Sequence, residues 1–245
     1  MKQFDSFAAG ANIHLMTLAV FSVATFLAIA LGRRLRETPG EIKMRQAIGL
    51  TGLIVWGGGL VRRWLPGSFS IADSLPLQFC DVACVVACLM LLTGHRRAHA
   101  ITYFWGIAFC LQAFLTPTLK QGPAHLDFWF FWINHAVILG GAIYSVCVSR
   151  FRPRWNDFLF AAGAATVWLC FLVIFDRLTG SNYGFVGNAN PGTKSLIDFL
   201  GPWPGRLVWI YLLGLTALTV LWFPWRLFHR QPMPAAAALH RQYEK

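Results

Sequence analysis

A chain of 245 residues that is 56% apolar and only 13% charged is not an ordinary soluble domain, in which about a quarter of the residues carry charge. Its long apolar runs indicate a polytopic membrane protein forming a single domain, 1–245. A net charge of +11 would suit a nucleic-acid binder, but the basic residues gather in alternate loops, so the charge reads as topology and contact with anionic lipid, with no nucleic-acid partner.

In chain order, seven spans are expected, near 12–32, 45–61, 75–93, 99–119, 126–149, 157–177 and 205–225. The first has no basic start and its apolar run, 13–31, is long enough to cross a bilayer, so it reads as a span and not as a cleavable leader. The second is short and rich in glycine (Gly49, Gly52, Gly57, Gly58, Gly59). Small residues there allow a neighbouring helix to approach closely. All six cysteines (80, 84, 88, 110, 147, 170) lie in apolar runs, with no Cys-x-x-Cys and no zinc-like spacing, so disulfides are not implied.

Charge placement orients the bundle. Arg33, Arg34, Arg36, Lys43 and Arg45 follow the first span, Arg96 and Arg97 the third, and Arg150, Arg152 and Arg154 the fifth. With Arg226, Arg230, Arg241 and Lys245 in the tail, they make up most of the 21 Lys and Arg. The positive-inside rule then puts the N-terminus outside and the C-terminus in the cytoplasm, as an odd number of spans requires. The expected class is all-α: a seven-helix transmembrane bundle in a bacterial inner membrane. The longest connection, 178–204, falls outside. Its Asn, Gly and Pro residues mark turns, and its aromatic content suits a cover over the outer mouth.

Ionisable groups inside spans are costly and are functional hypotheses by default. Asp81 and His135 are the clear cases. Counting about 1.5 Å per residue from the outer ends, Cys80 lies roughly 8 Å down and His135 roughly 14 Å down. Thr116 and Pro117 share that level. A thiol becomes a strong nucleophile when an imidazole removes its proton, and a carboxylate can orient the imidazole. Asp81, one residue past Cys80, projects about 100° further round the helix toward a neighbouring His. Gln78, Asn134 and Tyr183 are candidate donors to an oxyanion or a headgroup. The plainer readings stand beside these. Cys80, Cys84 and Cys88 form a stripe of small residues suited to helix packing, and Asp81 can pair with Arg62 or Arg63. Lys194 and Arg206 read as solvated outer charges or as phosphate contacts.

Leu75-Pro76-Leu77-Gln78-Phe79-Cys80-Asp81, Thr116-Pro117, Asn134-His135, Asn182-Tyr183 and the segment from Ser195 to Pro204, ending Leu-Gly-Pro-Trp-Pro, resemble the YwaF-like integral membrane proteins, which look related to the TMEM164 acyltransferases. The likeness covers most of the chain. It implies that an intramembrane cysteine, here Cys80, carries an acyl group taken from a phospholipid, with His135 assisting. Gln78, Thr116, Asn134, Asn182, Tyr183 and Lys194 are the expected substrate contacts. Gln78 stands where the family often has His, and Gly184-Phe185 and Gly205-Arg206 depart from its usual aromatics. The function expected is transfer of an acyl chain from a phospholipid to a lysophospholipid or to water, with membrane lipids as partners and no metal or organic cofactor. The alternative is a transporter or small-ligand binder built on Asp81 and His135.

Overall fold

A computed structural model describes residues 4–188 and 199–228. Among the described residues the chain is all-helical, with no strand beyond an isolated bridge between Ser6 and Gln121. The helices are α1 (Asn12–Arg34), α2 (Pro39–Arg63), α3 (Phe79–Thr93), α4 (Arg96–Ala108), the short α5 (Gln112–Leu115), α6 (Leu126–Cys147), α7 (Trp155–Thr179) and α8 (Arg206–Phe228). Five are long and apolar enough to cross a membrane: α1, α4 joined with α5, α6, α7 and α8.

Three expected boundaries move, each for a local reason. The second helix is not short: Pro39, which favours a first helical turn because its missing N–H would be unpaired there anyway, starts it well before residue 45. The third begins only at Phe79, because Pro76 disfavours helical backbone at Leu75 and Gln78 is extended (φ −63°, ψ 148°). The fourth starts at Arg96 and is interrupted after Ala108. There the Trp105 carbonyl accepts from both Phe109 N (2.9 Å) and Cys110 N (3.3 Å), and the second of these is a wide, π-type turn.

α3, α4 and α6 form the centre. α3 packs on α2, α4 and α6, and α4 also packs on α7 and α8. α1 and α8 lie at the periphery and expose apolar side chains such as Val20, Phe26, Val208 and Val220, as a lipid-facing helix must. Glycines bring α2 onto α3: a Cβ on Gly52 would lie 2.7 Å from Cys88 Sγ, and one on Gly49 2.9 Å from the Cys88 carbonyl oxygen. The small-residue contact expected of the second helix is therefore made at these two positions.

The two ends of the bundle differ. At the basic end, Arg36 donates to the Cys147 and Val148 carbonyls, Arg45 donates to that of Leu91, and Arg96 pairs with Asp157 at 2.6 Å. Two of these arginines thus satisfy carbonyls that α3 and α6 leave unpaired at their C-termini, where the helix dipole favours positive charge. The opposite end holds the pairs Arg62–Asp127 (2.9 Å) and Arg63–Asp81 (3.0 Å).

Candidate functional site

The site grows from the start of α3. Gln78 precedes the helix, and its Oε1 accepts from Gly184 N at 2.8 Å. Gly184 adopts φ +62°, and a Cβ there would approach Leu172 to 2.9 Å, so the tie needs glycine. This bond fastens the connection after α7 to the turn that presents Cys80 and Asp81. Asp81 lies in the first helical turn, where the dipole stabilises a carboxylate. It is buried, its Oδ1 takes the Arg63 bond, and its Oδ2 is buried with no partner.

His135 comes from the buried face of α6. Its Nδ1 lies 2.8 Å from the Phe131 carbonyl oxygen, and its ring packs at a tilt of 36° on the Phe131 ring with centroids 4.2 Å apart. A carbonyl only accepts, so Nδ1 carries the proton and Nε2 keeps the lone pair of the neutral ring. No hydrogen bond joins Cys80 to His135, or Asp81 to His135. Cys80 is half-buried against a cluster of Ala83, Cys84, Cys88, Cys110 and Ile138, bordered by Trp56. The Trp56 indole N–H is buried without an acceptor. Sequence reasoning passed over it, because one Trp among 11 reads as interface or lipid contact.

The other expected contacts divide. Asn134 Oδ1 accepts from the Cys84 thiol at 3.7 Å. Thr116 is exposed and its hydroxyl donates back to the Gln112 carbonyl (3.3 Å). Asn182 Oδ1 is buried without a partner. Tyr183 is wholly buried: its hydroxyl donates to the Ile71 carbonyl and accepts from Leu75 N, both at 2.9 Å, while its own N–H donates to Asp176 (3.0 Å). Burial pushes the Tyr183 phenol above its usual range, so it stays a neutral pin holding the approach to α3. Lys194 lies outside the described residues. Arg206 is not a solvated charge: it is buried and donates to the Gly187 carbonyl, tying the start of α8 to the connection after α7.

A cavity of about 620 Å³ opens at this end, lined by Arg63, Asp73, Thr118, Leu119, Lys120, Gln121 and Phe131. It borders the residue that holds Asp81 and the residue that holds His135.

A nucleophile–imidazole pair lies toward the basic end. His99 Nδ1 and Ser145 Oγ are 2.6 Å apart, linking α4 to α6. Ser145 has no exposed surface and Phe151 stacks on the His99 ring, so no substrate carbonyl reaches the hydroxyl. Among the described residues no three His, Cys, Asp or Glu side chains converge as a metal site. His14 is engaged with Gly10 N and the Phe114 carbonyl, both at 2.9 Å.

A family model described as the TMEM164 family matches residues 9–223. The match spans most of the chain and includes Cys80, Asp81 and His135, and the chain belongs to that family. No curated protein and no solved structure matches it.

Proposed function

From that membership we propose that the protein is an integral membrane acyltransferase with seven spans, its N-terminus outside and its C-terminus in the cytoplasm of a bacterial cell. Cys80 is the nucleophile and His135 the base. The observation that carries this reading is the family match, which includes both residues and the intervening helices. The local geometry supports it. α3 has 15 residues, so at about 1.5 Å each it covers only part of a hydrocarbon core of about 30 Å. Its non-helical approach, 75–78, then lies at membrane depth, where such backbone is tolerated only inside protein or beside a cavity.

In the first step His135 Nε2 takes the Cys80 proton, and the thiolate sulfur attacks the ester carbonyl of a phospholipid. The tetrahedral oxyanion collapses and the C–O bond to the glycerol breaks. The leaving alkoxide takes the proton from His135, which leaves a thioester on Cys80 and a lysophospholipid. His135 Nε2 then takes the proton from a second lysophospholipid's hydroxyl, or from water, as that oxygen attacks the thioester; the C–S bond breaks and His135 gives the proton to the departing Cys80 thiolate. Asp81 stabilises the transient imidazolium through its field, with Arg63 fixing the carboxylate. Trp56 N–H and the Gln78 amide are the oxyanion donors. Cys80 and His135 draw together when the ester enters, since catalytic hydrogen bonds often tighten only in the complex.

The test uses purified protein in nanodiscs with one defined phospholipid and one lysophospholipid. Intact mass should show an acyl adduct on Cys80, and the product should carry the donor's chain. If Cys80→Ala and His135→Ala both transfer as well as wild type, the reading fails.

One observation favours a second reading. The unpartnered Asp81 Oδ2 is an open acceptor for a cationic ligand or a proton, as in a transporter or small-ligand binder. Ligand-dependent thermal stabilisation with no covalent adduct would support it.

A further inference from the structure

At the basic end, on the side away from Cys80, a cavity of about 520 Å³ is lined by Arg33, Arg36, Arg150 and Arg152 together with Cys147 and Trp225. We propose that it binds the phosphate of an anionic phospholipid. No acid lines it. Glu37 meets Arg150 across an exposed pair at 3.7 Å. Converging guanidiniums repel one another, and an anion between them relieves that repulsion.

The four arginines are arranged for such a guest. Arg36 is held by the Val148 and Cys147 carbonyls, and Arg152 by those of Val146 and Phe151 and by the Trp225 ring, 5.0 Å away. A guanidinium has five N–H donors, so both keep donors for an acceptor in the cavity. Arg33 makes no hydrogen bond or ion pair among the described residues. Arg150 and Glu37 both adopt left-handed backbone (φ +54° and +67°). Side chains other than glycine rarely hold that conformation, and it concentrates at functional sites.

Position favours a lipid over a dissolved anion. The cavity lies where α1, α6 and α8 end, level with Trp222 and Trp225, and tryptophan marks the headgroup zone of a bilayer. α1 and α8, whose ends reach the cavity, carry exposed apolar side chains such as Leu27, Leu31, Phe223 and Leu227. Basic pockets between helix ends are established headgroup sites in membrane proteins. The proposal does not depend on acyl transfer.

The test uses the full chain in nanodiscs of phosphatidylcholine, with or without phosphatidylglycerol. Retained lipid is read by native mass spectrometry, and maleimide labelling of Cys147 by peptide mass. Phosphatidylglycerol should be retained over phosphatidylcholine and should slow Cys147 labelling about tenfold. The double variant Arg33→Gln/Arg150→Gln should lose both effects. The control Arg34→Gln/Lys43→Gln, which removes the same charge from exposed positions outside the cavity, should keep them. Equal losses in the two double variants would reduce the effect to general surface charge and overturn the proposal. So would an absence of Cys147 protection in wild type. Protection by millimolar inorganic phosphate in pure phosphatidylcholine discs, as complete as with phosphatidylglycerol, would overturn the lipid assignment.

Discussion

Two buried imidazoles of this bundle, His99 and His135, are opposites. His99 holds Ser145 at 2.6 Å, but that serine is sealed from every surface. His135 makes no bond to Cys80, yet Cys80 is half-buried and a cavity borders the residues that hold His135 and Asp81. A short hydrogen bond in a closed core satisfies two polar groups between helices. A reactive pair needs a free lone pair, a route for substrate and an acceptor for developing charge. His135 has the first, because Phe131 takes the proton side of its ring.

The contrast breaks most sharply at the nucleophiles. Cys80→Ala should lower acyl transfer roughly 10⁴-fold or more and abolish the adduct, whereas Ser145→Ala should change the rate in nanodiscs by no more than about twofold. If Cys80→Ala is the silent one and Ser145→Ala abolishes transfer, the roles are exchanged. At the imidazoles, His135→Gln should cost about 10²–10⁴ in kcat. His99→Gln should leave kcat near wild type and instead lower stability by about 1–3 kcal/mol, by depriving the buried Ser145 hydroxyl of its partner, as read by thermal unfolding in detergent. Trp56→Phe removes one N–H with little change in volume and should lower kcat by about 10²-fold without shifting KM, if that donor meets the oxyanion.

The smallest effect belongs to the strap above α3. Tyr183→Phe should destabilise by about 1–3 kcal/mol, since the Ile71 carbonyl and Leu75 N–H lose their shared partner. The pH sign is set by the raised phenol. The unfolded state ionises first, near the ordinary value of 10.0, while the buried phenol stays neutral. Its contribution is therefore complete below that pH and is lost as pH rises toward the folded value. Thermal unfolding between neutral pH and about 11 should show a steeper alkaline loss in wild type than in Tyr183→Phe.

Legibility followed locality. The helix pattern and the clustering of arginines at one end were readable, because apolar run length and loop charge are properties of neighbouring residues. The late start of α3 had its signal in Pro76. The choice of Arg63 over Arg62 for Asp81 had none, since the two differ by about 100° of helix rotation and only the approach of α2 to α3 selects one. Arg206 read as a solvated charge because nothing nearby in the chain announces that the Gly187 carbonyl, nineteen residues earlier, needs a donor.

By itself the amino-acid sequence determined that this chain is a helical membrane protein and that one end is basic, while only its family resemblance set Cys80 apart from Cys84 and Cys88. Composition, periodicity and hydropathy act along the chain, so they are visible in it. The tertiary structure alone decided which carboxylate meets which arginine, which imidazole nitrogen keeps its lone pair, that Ser145 is sealed, and that four arginines from separated segments surround one cavity. Those outcomes depend on the rotation and close approach of helices far apart in sequence, where glycines such as Gly49 and Gly52 admit a neighbour and larger side chains hold it off.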